Sequence, residues 1–182
     1  VEVHTIKALA DLVESPGGTL WLGRESGTYR PASRWNMAAV EGAEPAAGSL
    51  AGCLERTGWV VNVDECRTDP GSYPGLVLPE WLGAVPAAWL VVPLISGTEL
   101  LGFVVLTTPR AAIEVNWEVR DLLKTASRQA ASYLGQIQAT EALLEARKFD
   151  AFNRMSAFVV HDLKNLVAQL SLMLKNSERH RD

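Results

Sequence analysis

The feature that most constrains this chain is the run from Trp117 to Asp182, which contains no proline and a single glycine, Gly135. Proline and glycine are the residues that most disfavour a helix interior, so the run predicts one uninterrupted α-helix. Asn116 is the expected cap at its N-terminal end. With a rise of about 1.5 Å per residue, the helix would be roughly 90 Å long. A rod of that length cannot fold back on the domain that precedes it.

Two apolar seams follow this helix, each with spacings that alternate between three and four residues. The first comprises Leu123, Ala126, Ala130, Tyr133, Ile137, Thr140 and Leu144, and the second comprises Phe149, Phe152, Ser156, Val159, Leu163, Leu166, Leu170 and Met173. Such spacing is typical of parallel coiled coils and predicts a homodimer through the long helix. The two seams do not share one phase, and the register shifts across residues 145–148. That break either rewinds the coiled coil to carry a signal or is a simple bend filled by side chains.

Residues 158–175 combine a broad apolar arc with a histidine on the opposite side of the helix. Helical geometry places His161 roughly 170° from the centre of the arc, with Asn165 beside it. Asp162 is the next residue and Asn165 lies one turn on. The face therefore holds a nucleophile, a base or orienting group, and an amide able to place a water. The arc is wider than a two-stranded seam requires and suits a four-helix bundle.

The five residues His161-Asp162-Leu163-Lys164-Asn165 resemble the H-box of sensor histidine kinases. The resemblance implies that His161 accepts the γ-phosphoryl group of ATP and that Asp162 assists the proton transfer. It also implies that Asn165 positions water when the kinase dephosphorylates its response regulator. The longer run over residues 158–180 is most similar to the sensor kinases that accompany the bacterial exosortase (PEP-CTERM) protein-sorting system.

The residues before the long helix alternate between helical and strand patterns, which predicts an α+β domain. The expected elements are a helix over residues 3–13, strands 19–22 and 28–37 around a turn at 25–27, a loop at 41–48, a helix over 50–56 capped by Ser49, a strand 59–63, a long loop 64–85, and a hairpin of strands 88–95 and 99–107. Both hairpin strands are almost continuously apolar, so we expect them to be covered on both faces. A loop as long as 64–85 usually covers something.

This order of elements resembles a GAF domain over roughly residues 1–120. The most similar stretches are Trp89-Leu90-Val91-Val92-Pro93-Leu94-Ile95, then Gly97, and Leu101-Gly102-Phe103-Val104-Val105-Leu106. The resemblance implies a curved antiparallel sheet flanked by helices, with a pocket between the sheet and the loop 64–85. The Asn-Lys-x-Phe-Asp-Glu pattern of cyclic-nucleotide-binding members and the Cys-His pair of bilin-binding members are both missing, so the ligand is unknown. A GAF domain without a ligand, acting as a dimerisation module, is an equal alternative.

The six tryptophans are spread over separate predicted elements, which favours core or rim positions over an aromatic ligand cage. They are Trp21, Trp35, Trp59, Trp81, Trp89 and Trp117.

Composition narrows the class of protein. Apolar residues make up 48% of the chain, enough for a core, and a formal net charge of −4 argues against nucleic acid as a partner. The longest apolar run, 87–95, is too short to cross a membrane, and no export signal is visible, so we expect no membrane contact in these residues and a cytoplasmic location. Any membrane anchor of the parent would lie upstream. Two cysteines, Cys53 and Cys66, lack the spacing of a metal site.

We therefore expect three segments: a GAF-like sensor domain at 1–116, a signalling coiled-coil helix at 117–148, and the first helix of a truncated dimerisation and histidine phosphotransfer domain at 149–182. The parent would be an ATP-dependent protein histidine kinase that uses ATP and Mg. These residues lack the ATP-binding domain and should be inactive alone. The expected partners are a second copy, the ATP-binding domain of the same kinase and the receiver domain of a response regulator.

Two other functions fit parts of the sequence. A non-catalytic GAF and coiled-coil scaffold explains the seams but leaves the His161 face as a coincidence. A methionine sulfoxide reductase would use Cys53 and Cys66, which more simply read as a buried apolar residue and a loop thiol.

Overall fold

The computed structural model describes residues 1–24 and 27–179. The predicted turn at 25–27 lies partly outside the described residues. The elements in chain order are α1 Glu2–Leu12, β1 Gly18–Arg24, β2 Thr28–Trp35, β3 Glu44–Pro45, α2 Ser49–Thr57, β4 Val61–Asn62, α3 Val63–Thr68, a 3₁₀ helix Pro70–Ser72, α4 Glu80–Gly83, β5 Ala88–Ser96, β6 Glu99–Thr107 and α5 Trp117–Arg179. The chain divides into two compact units, Val1–Gln136 and Ile137–Asp182.

The first unit is built on one six-stranded antiparallel sheet with the strand order β3-β2-β1-β6-β5-β4. The hairpin of β5 and β6 is confirmed, with pairing from Ala88 opposite Thr107 to Ser96 opposite Glu99. Gly97 in its turn has φ +63°, a left-handed conformation that glycine adopts without strain. The predicted α+β class, a GAF-like antiparallel sheet flanked by helices and followed by a long helix, is confirmed.

Both faces of this sheet are covered, which explains why β5 and β6 are almost continuously apolar. Phe103 and Val105 point into a core under α2, α3 and α4. Val104 and Leu106 belong to a second core under α1 and the first turns of α5. We call α2 and residues 63–83, which contain α3, the 3₁₀ helix and α4, the cover.

The predicted long loop 64–85 is wrong, because much of it is short helices. The Asn62 side chain caps α3 by accepting hydrogen bonds from the backbone N–H of Asp64, at 3.1 Å, and of Glu65, at 3.3 Å. Asp69 caps the 3₁₀ helix through the N–H of Gly71, at 3.2 Å. Helices of three to six residues are too short to show an apolar period and are stabilised mainly by packing. The segment does cover one face of the sheet, as expected.

Ser49 does not cap α2, in contrast to the prediction. The N-cap is Gly48, and Ser49 is the first helical residue. Its hydroxyl instead donates to the carbonyl of Gly75, at 3.1 Å, and accepts from the N–H of Val77, at 2.8 Å. Ser49 therefore binds the middle of the cover to the start of α2.

The predicted loop 41–48 contains the two-residue edge strand β3, which pairs with β2. The predicted strand 59–63 is shortened to β4, because α3 begins at Val63.

The long helix is confirmed. Asn116 caps it by accepting a hydrogen bond from the N–H of Val119, at 3.0 Å. Its early turns bury Leu123, Ser127, Ala131 and Leu134 in the first unit. Leu123, assigned above to the first seam, thus packs in the core of its own chain, because this part of α5 covers the sheet. Within the described residues, no helix combines the length and the apolar character needed to cross a lipid bilayer.

Candidate functional sites

His161 and its two polar neighbours lie together on α5 in the second unit. Asn165 follows one turn later, and its Nδ2 is 3.2 Å from His161 Nδ1. Asp162 Oδ1 is 3.6 Å from the same ring nitrogen, within ion-pair distance but too long for a hydrogen bond. The His161 side chain is 72% exposed. Both neighbours therefore act on Nδ1, while the imidazole is accessible to a large reactant.

The arrangement has a definite chemical consequence for the imidazole. A neutral imidazole carries its proton on one nitrogen and a lone pair on the other. If Asn165 donates to Nδ1, the proton is on Nε2 and that nitrogen cannot attack. If Asp162 accepts a hydrogen bond from Nδ1–H, the proton is on Nδ1 and the lone pair of Nε2 is free. Asp162 and Asn165 thus favour opposite tautomers of His161.

The apolar stripe on the same helix is uncovered in the single chain. Val159, Leu163, Leu166, Leu170 and Met173 are between 45% and 69% exposed. A contiguous apolar surface of this kind marks an interaction site. In the first unit, a groove of about 620 Å³ between α1 and α5 is a second accessible surface; its lining includes Ala126, Ala130 and Tyr133, all from the first seam.

An aromatic cluster lies between the sheet and the cover, at the place expected for the pocket. Trp21 of β1 stacks on Trp81 of α4 with 3.9 Å between ring centroids and 30° between planes. Phe103 of β6 stacks on both indoles, at 5.6 Å from Trp21 and 5.9 Å from Trp81. Two of the six tryptophans are therefore stacked on each other, Trp21 in the core and Trp81 partly buried against it, which agrees with the expected core and rim positions. Only the tertiary fold joins residues so far apart in the chain.

Glu44 is the polar member of this cluster. Glu44 is buried, with 2% of its surface exposed. Its Oε2 accepts a hydrogen bond from Trp81 Nε1, at 3.0 Å, and its Oε1 accepts one from the N–H of Ala51, at 3.2 Å. A Cβ on Gly48 would collide with Oε1, so only glycine leaves the carboxyl group its place. Sequence reasoning missed Glu44 because it lies in a segment rich in alanine, glycine and proline.

Arg120 connects the start of α5 to the cover. Its guanidinium donates to Glu65 Oε2 at 2.5 Å, to Tyr73 Oη at 3.0 Å and to the carbonyl of Val60 at 2.8 Å. Tyr73 Oη donates to Glu65 Oε2 at 2.6 Å and accepts from the N–H of Asn62 at 3.0 Å. Together these contacts form the Arg120 network, which joins the cover, through Glu65 and Tyr73, to the first turns of α5.

The network shifts the pKa values of Glu65 and Tyr73. The hydrogen bond from Tyr73 lowers the pKa of Glu65; Arg120 adds to the effect, and desolvation opposes it. Burial raises the pKa of Tyr73, and its hydrogen bond to Glu65 raises that pKa further.

The two cysteines are both buried and free, Cys53 on α2 and Cys66 on α3. Burial, followed by the proximity of Cys53, raises the pKa of the Cys66 thiol. Because redox catalysis requires an accessible thiolate, this environment argues against the reductase. Among the described residues, no three or more His, Cys, Asp or Glu side chains come together to hold a metal ion.

Comparisons with known proteins agree with this architecture. Residues 4–134 match the model of the GAF domain family. The comparison with curated proteins found no match.

Several solved structures share the fold. The GAF domain/HD domain protein from Geobacter sulfurreducens is 18% identical with a TM-score of 0.56, over 74% of this chain and 90% of that one. A methyl-accepting chemotaxis protein, residues 122 to 287, is 16% identical with a TM-score of 0.57, over 77% and 90%. The second GAF domain of DevS from Mycobacterium smegmatis is 14% identical with a TM-score of 0.56, over 78% and 96%. Identities this low carry information on the fold alone.

Proposed function

The chain belongs to the GAF domain family, and from this premise we propose that it is the sensor and phosphoacceptor region of a bacterial two-component sensor histidine kinase. GAF domains occur in signalling proteins such as the chemotaxis protein above. The observation that carries the proposal is the exposed His161 with Asp162 and Asn165 at one ring nitrogen. The exosortase-associated kinases remain the subfamily that residues 158–180 resemble.

In the proposed reaction, His161 Nε2 attacks the γ-phosphorus of ATP. The N–P bond forms as the bond from that phosphorus to the bridging oxygen breaks, and ADP leaves with the electron pair. The proton on Nδ1 passes to Asp162 or stays in a hydrogen bond with it, so the positive charge on the ring is neutralised. The phosphoryl group then moves to an aspartate of a receiver domain. ATP and Mg would be bound by a separate catalytic domain, and positioning of the bound domains would supply much of the rate.

A second copy of the chain is the proposed partner for the exposed stripe on α5. Residues Leu163, Leu166 and Leu170 follow the alternating spacing of a coiled-coil core, and each is more than half exposed in the single chain. Two such helices would cover each other while leaving the His161 face accessible to ATP and to the receiver.

The Arg120 network is the proposed route by which a signal passes from the GAF domain to α5. A movement of the cover that displaces Glu65 or Tyr73 must also change the hydrogen bonds of Arg120, which sits in the first turns of α5. The coupling would thus need no contact between ligand and helix.

The decisive experiment incubates the full-length kinase with labelled ATP, as wild type and as His161→Gln. We expect an acid-labile, base-stable label in the wild type and none in the variant. A label that persists in His161→Gln, or a wild type that is never labelled, would overturn the proposal in favour of the GAF and coiled-coil scaffold. That scaffold remains the second candidate because the exposed stripe would serve it equally well.

A further inference from the structure

We propose that a pocket beside the start of α5 binds a free aromatic α-amino acid. The ring of this ligand packs on Trp59 and Trp117, its ammonium group binds Asp121, and its carboxylate binds Lys124. The inference goes beyond the phosphoryl transfer proposed above, since binding here requires no reaction at His161.

The pocket lies within the first unit and is separate from the space under the cover. One wall is the segment 58–60 between α2 and β4, and the other is the first two turns of α5. Val60, which lines the pocket, packs in the core on the α1 and α5 side of the sheet. The volume is about 510 Å³, within the range of about 300 to 1,000 Å³ that is usual for small-molecule sites.

The two most exposed tryptophans of the chain both line this pocket. Trp117 is 74% exposed and Trp59 is 47% exposed, whereas the other four tryptophans are buried or half-buried. In the part of the chain that the structure describes, neither indole stacks on another aromatic ring. Exposed aromatic surface gathered at one place marks an interaction site, and a flat ring is the partner that stacks best on an indole.

The charged groups of the pocket define the polar part of the ligand. The guanidinium of Arg120 is already held by Glu65, Tyr73 and the carbonyl of Val60. Asp121 and Lys124 also line the pocket, and among the described residues neither forms an ion pair. The pocket therefore offers one carboxylate and one ammonium group that are not neutralised.

A zwitterion complements these two charges better than an ion of one sign does. Asp121 and Lys124 are three positions apart on α5, so their side chains are neighbours on the helix surface. An α-amino acid carries its ammonium and carboxylate groups on one carbon and can bind both side chains at once. A ligand with a single charge is attracted by one of them and repelled by the other.

The proposed dimer does not account for the exposure of the two indoles. At 100° per residue, the positions of α5 that line the pocket centre roughly 160° away from Ala126, Ala130 and Tyr133 of the first seam. A second copy that packs on the seam therefore leaves the pocket open. A small ligand, rather than the partner helix, is the occupant that fits.

The test titrates the 182-residue chain with L-phenylalanine and records proton–nitrogen NMR correlation spectra, in which each indole N–H gives its own peak. Single tryptophan substitutions assign the peaks. We expect the peaks of Trp59 and Trp117 to shift with one shared dissociation constant, while the peak of the buried Trp21 stays in place. Trp117→Ala should weaken binding by at least about fivefold, because a stacked ring is lost.

Two analogues then test the charges one at a time. 3-Phenylpropanoate lacks the ammonium group and phenethylamine lacks the carboxylate, and each should bind at least about threefold more weakly than phenylalanine. Asp121→Asn should remove only the difference between phenylalanine and 3-phenylpropanoate. Lys124→Met should remove only the difference between phenylalanine and phenethylamine. An apolar cavity without specific polar contacts cannot produce this crossed pattern.

Asp11→Asn and Lys7→Met are the matched controls, because Asp11 and Lys7 are an exposed carboxylate and an exposed ammonium one turn apart on α1. Both variants should keep the wild-type preference among the three compounds. Equal affinities for the three compounds in the wild type would overturn the proposal and indicate unspecific adsorption on exposed indoles. A shift of the Trp21 peak without shifts of Trp59 and Trp117 would also overturn it, because binding would then be under the cover.

Discussion

For the single residue His161, the two neighbours on Nδ1 have opposite chemical effects. Asn165 Nδ2 lies closer to the nitrogen than Asp162 Oδ1 does, at 3.2 Å against 3.6 Å. An amide donor stabilises the tautomer with the proton on Nε2. In that tautomer Nε2 has no free lone pair and cannot attack. A carboxylate at Nδ1 stabilises the reactive tautomer. A small rotation of the imidazole from Asn165 to Asp162, with loss of the Nε2 proton to solvent and gain of a proton at Nδ1, would thus convert a resting side chain into a nucleophile.

If the parent protein is the proposed histidine kinase, Asp162→Asn should lower the rate of its autophosphorylation by at least about tenfold, because the base at Nδ1 is lost. The measurement is the initial rate of label transfer from ATP at saturating ATP. Lys164→Ala, a change on the same exposed face, serves as the control and should keep the wild-type rate. An Asp162→Asn enzyme that is as fast as the wild type would remove Asp162 from the reaction.

Glu65 should make the stability of the chain dependent on acid pH. Its pKa is lowered in the folded state, mainly by the hydrogen bond from Tyr73, so its contribution is present above the unfolded pKa of about 4.3 and is lost as the pH falls through the folded value. The difference in melting temperature between wild type and Glu65→Gln should shrink as the pH is lowered from 7 to 3. Tyr73→Phe, which removes the largest cause, should weaken the pH dependence in the same way. Parallel melting curves at all pH values for wild type and Glu65→Gln would contradict this assignment.

Among the elements, the close contact between β1 and β6 depends on Gly102. A Cβ at this position would collide with the carbonyl oxygen of Trp21, so the strands would have to separate. Gly102→Ala should lower the free energy of unfolding by more than about 2 kcal/mol, as measured by chemical denaturation.

Gly52→Ala is the matched control for that change. Gly52 lies inside α2, and a Cβ there would meet no atom within 4 Å. Since alanine is favoured over glycine in a helix interior, this variant should be more stable than the wild type by about 0.5 to 1 kcal/mol. Equal destabilisation by both changes would mean that the contact between β1 and β6 is not the cause.

The elements that the sequence predicts well are those whose signal is local. The length of α5 follows from a run with no proline and a single glycine, its cap from Asn116, and the β5 and β6 hairpin from apolar runs beside Gly97. Residues 64–85 read as a loop because the helices that they contain are too short to show a helical period. Glu44 and Trp81 could not be paired in advance, since their hydrogen bond exists only after the sheet and the cover have packed.

For the whole molecule, the exposed stripe on α5 predicts a dimer. Leu166→Lys combined with Leu170→Lys would place unpaired charges in the proposed coiled-coil core and should weaken dimerisation by at least about a hundredfold. Sedimentation equilibrium of the 182-residue chain measures this change. Ala168→Lys lies beside the His161 face and should leave the dimer intact. A wild type that stays monomeric at high concentration, or a double variant that still dimerises, would contradict the prediction.

The register shift predicted at residues 145–148 has two possible roles, transmission of a signal along the helix or a simple bend. If it carries the signal, a perturbation in the first unit should reach His161 only while the shift is present. Arg120→Ala supplies that perturbation without any ligand, and we expect it to change autophosphorylation of the proposed full-length kinase by about fivefold or more. Replacing residues 145–148 with residues that continue the heptad of the first seam should preserve the dimer but abolish this response. The control replaces residues 145–148 with other polar residues that keep the register shift. This control should retain the response to Arg120→Ala. A response to Arg120→Ala that is the same with a continuous heptad would reduce the shift to a simple bend.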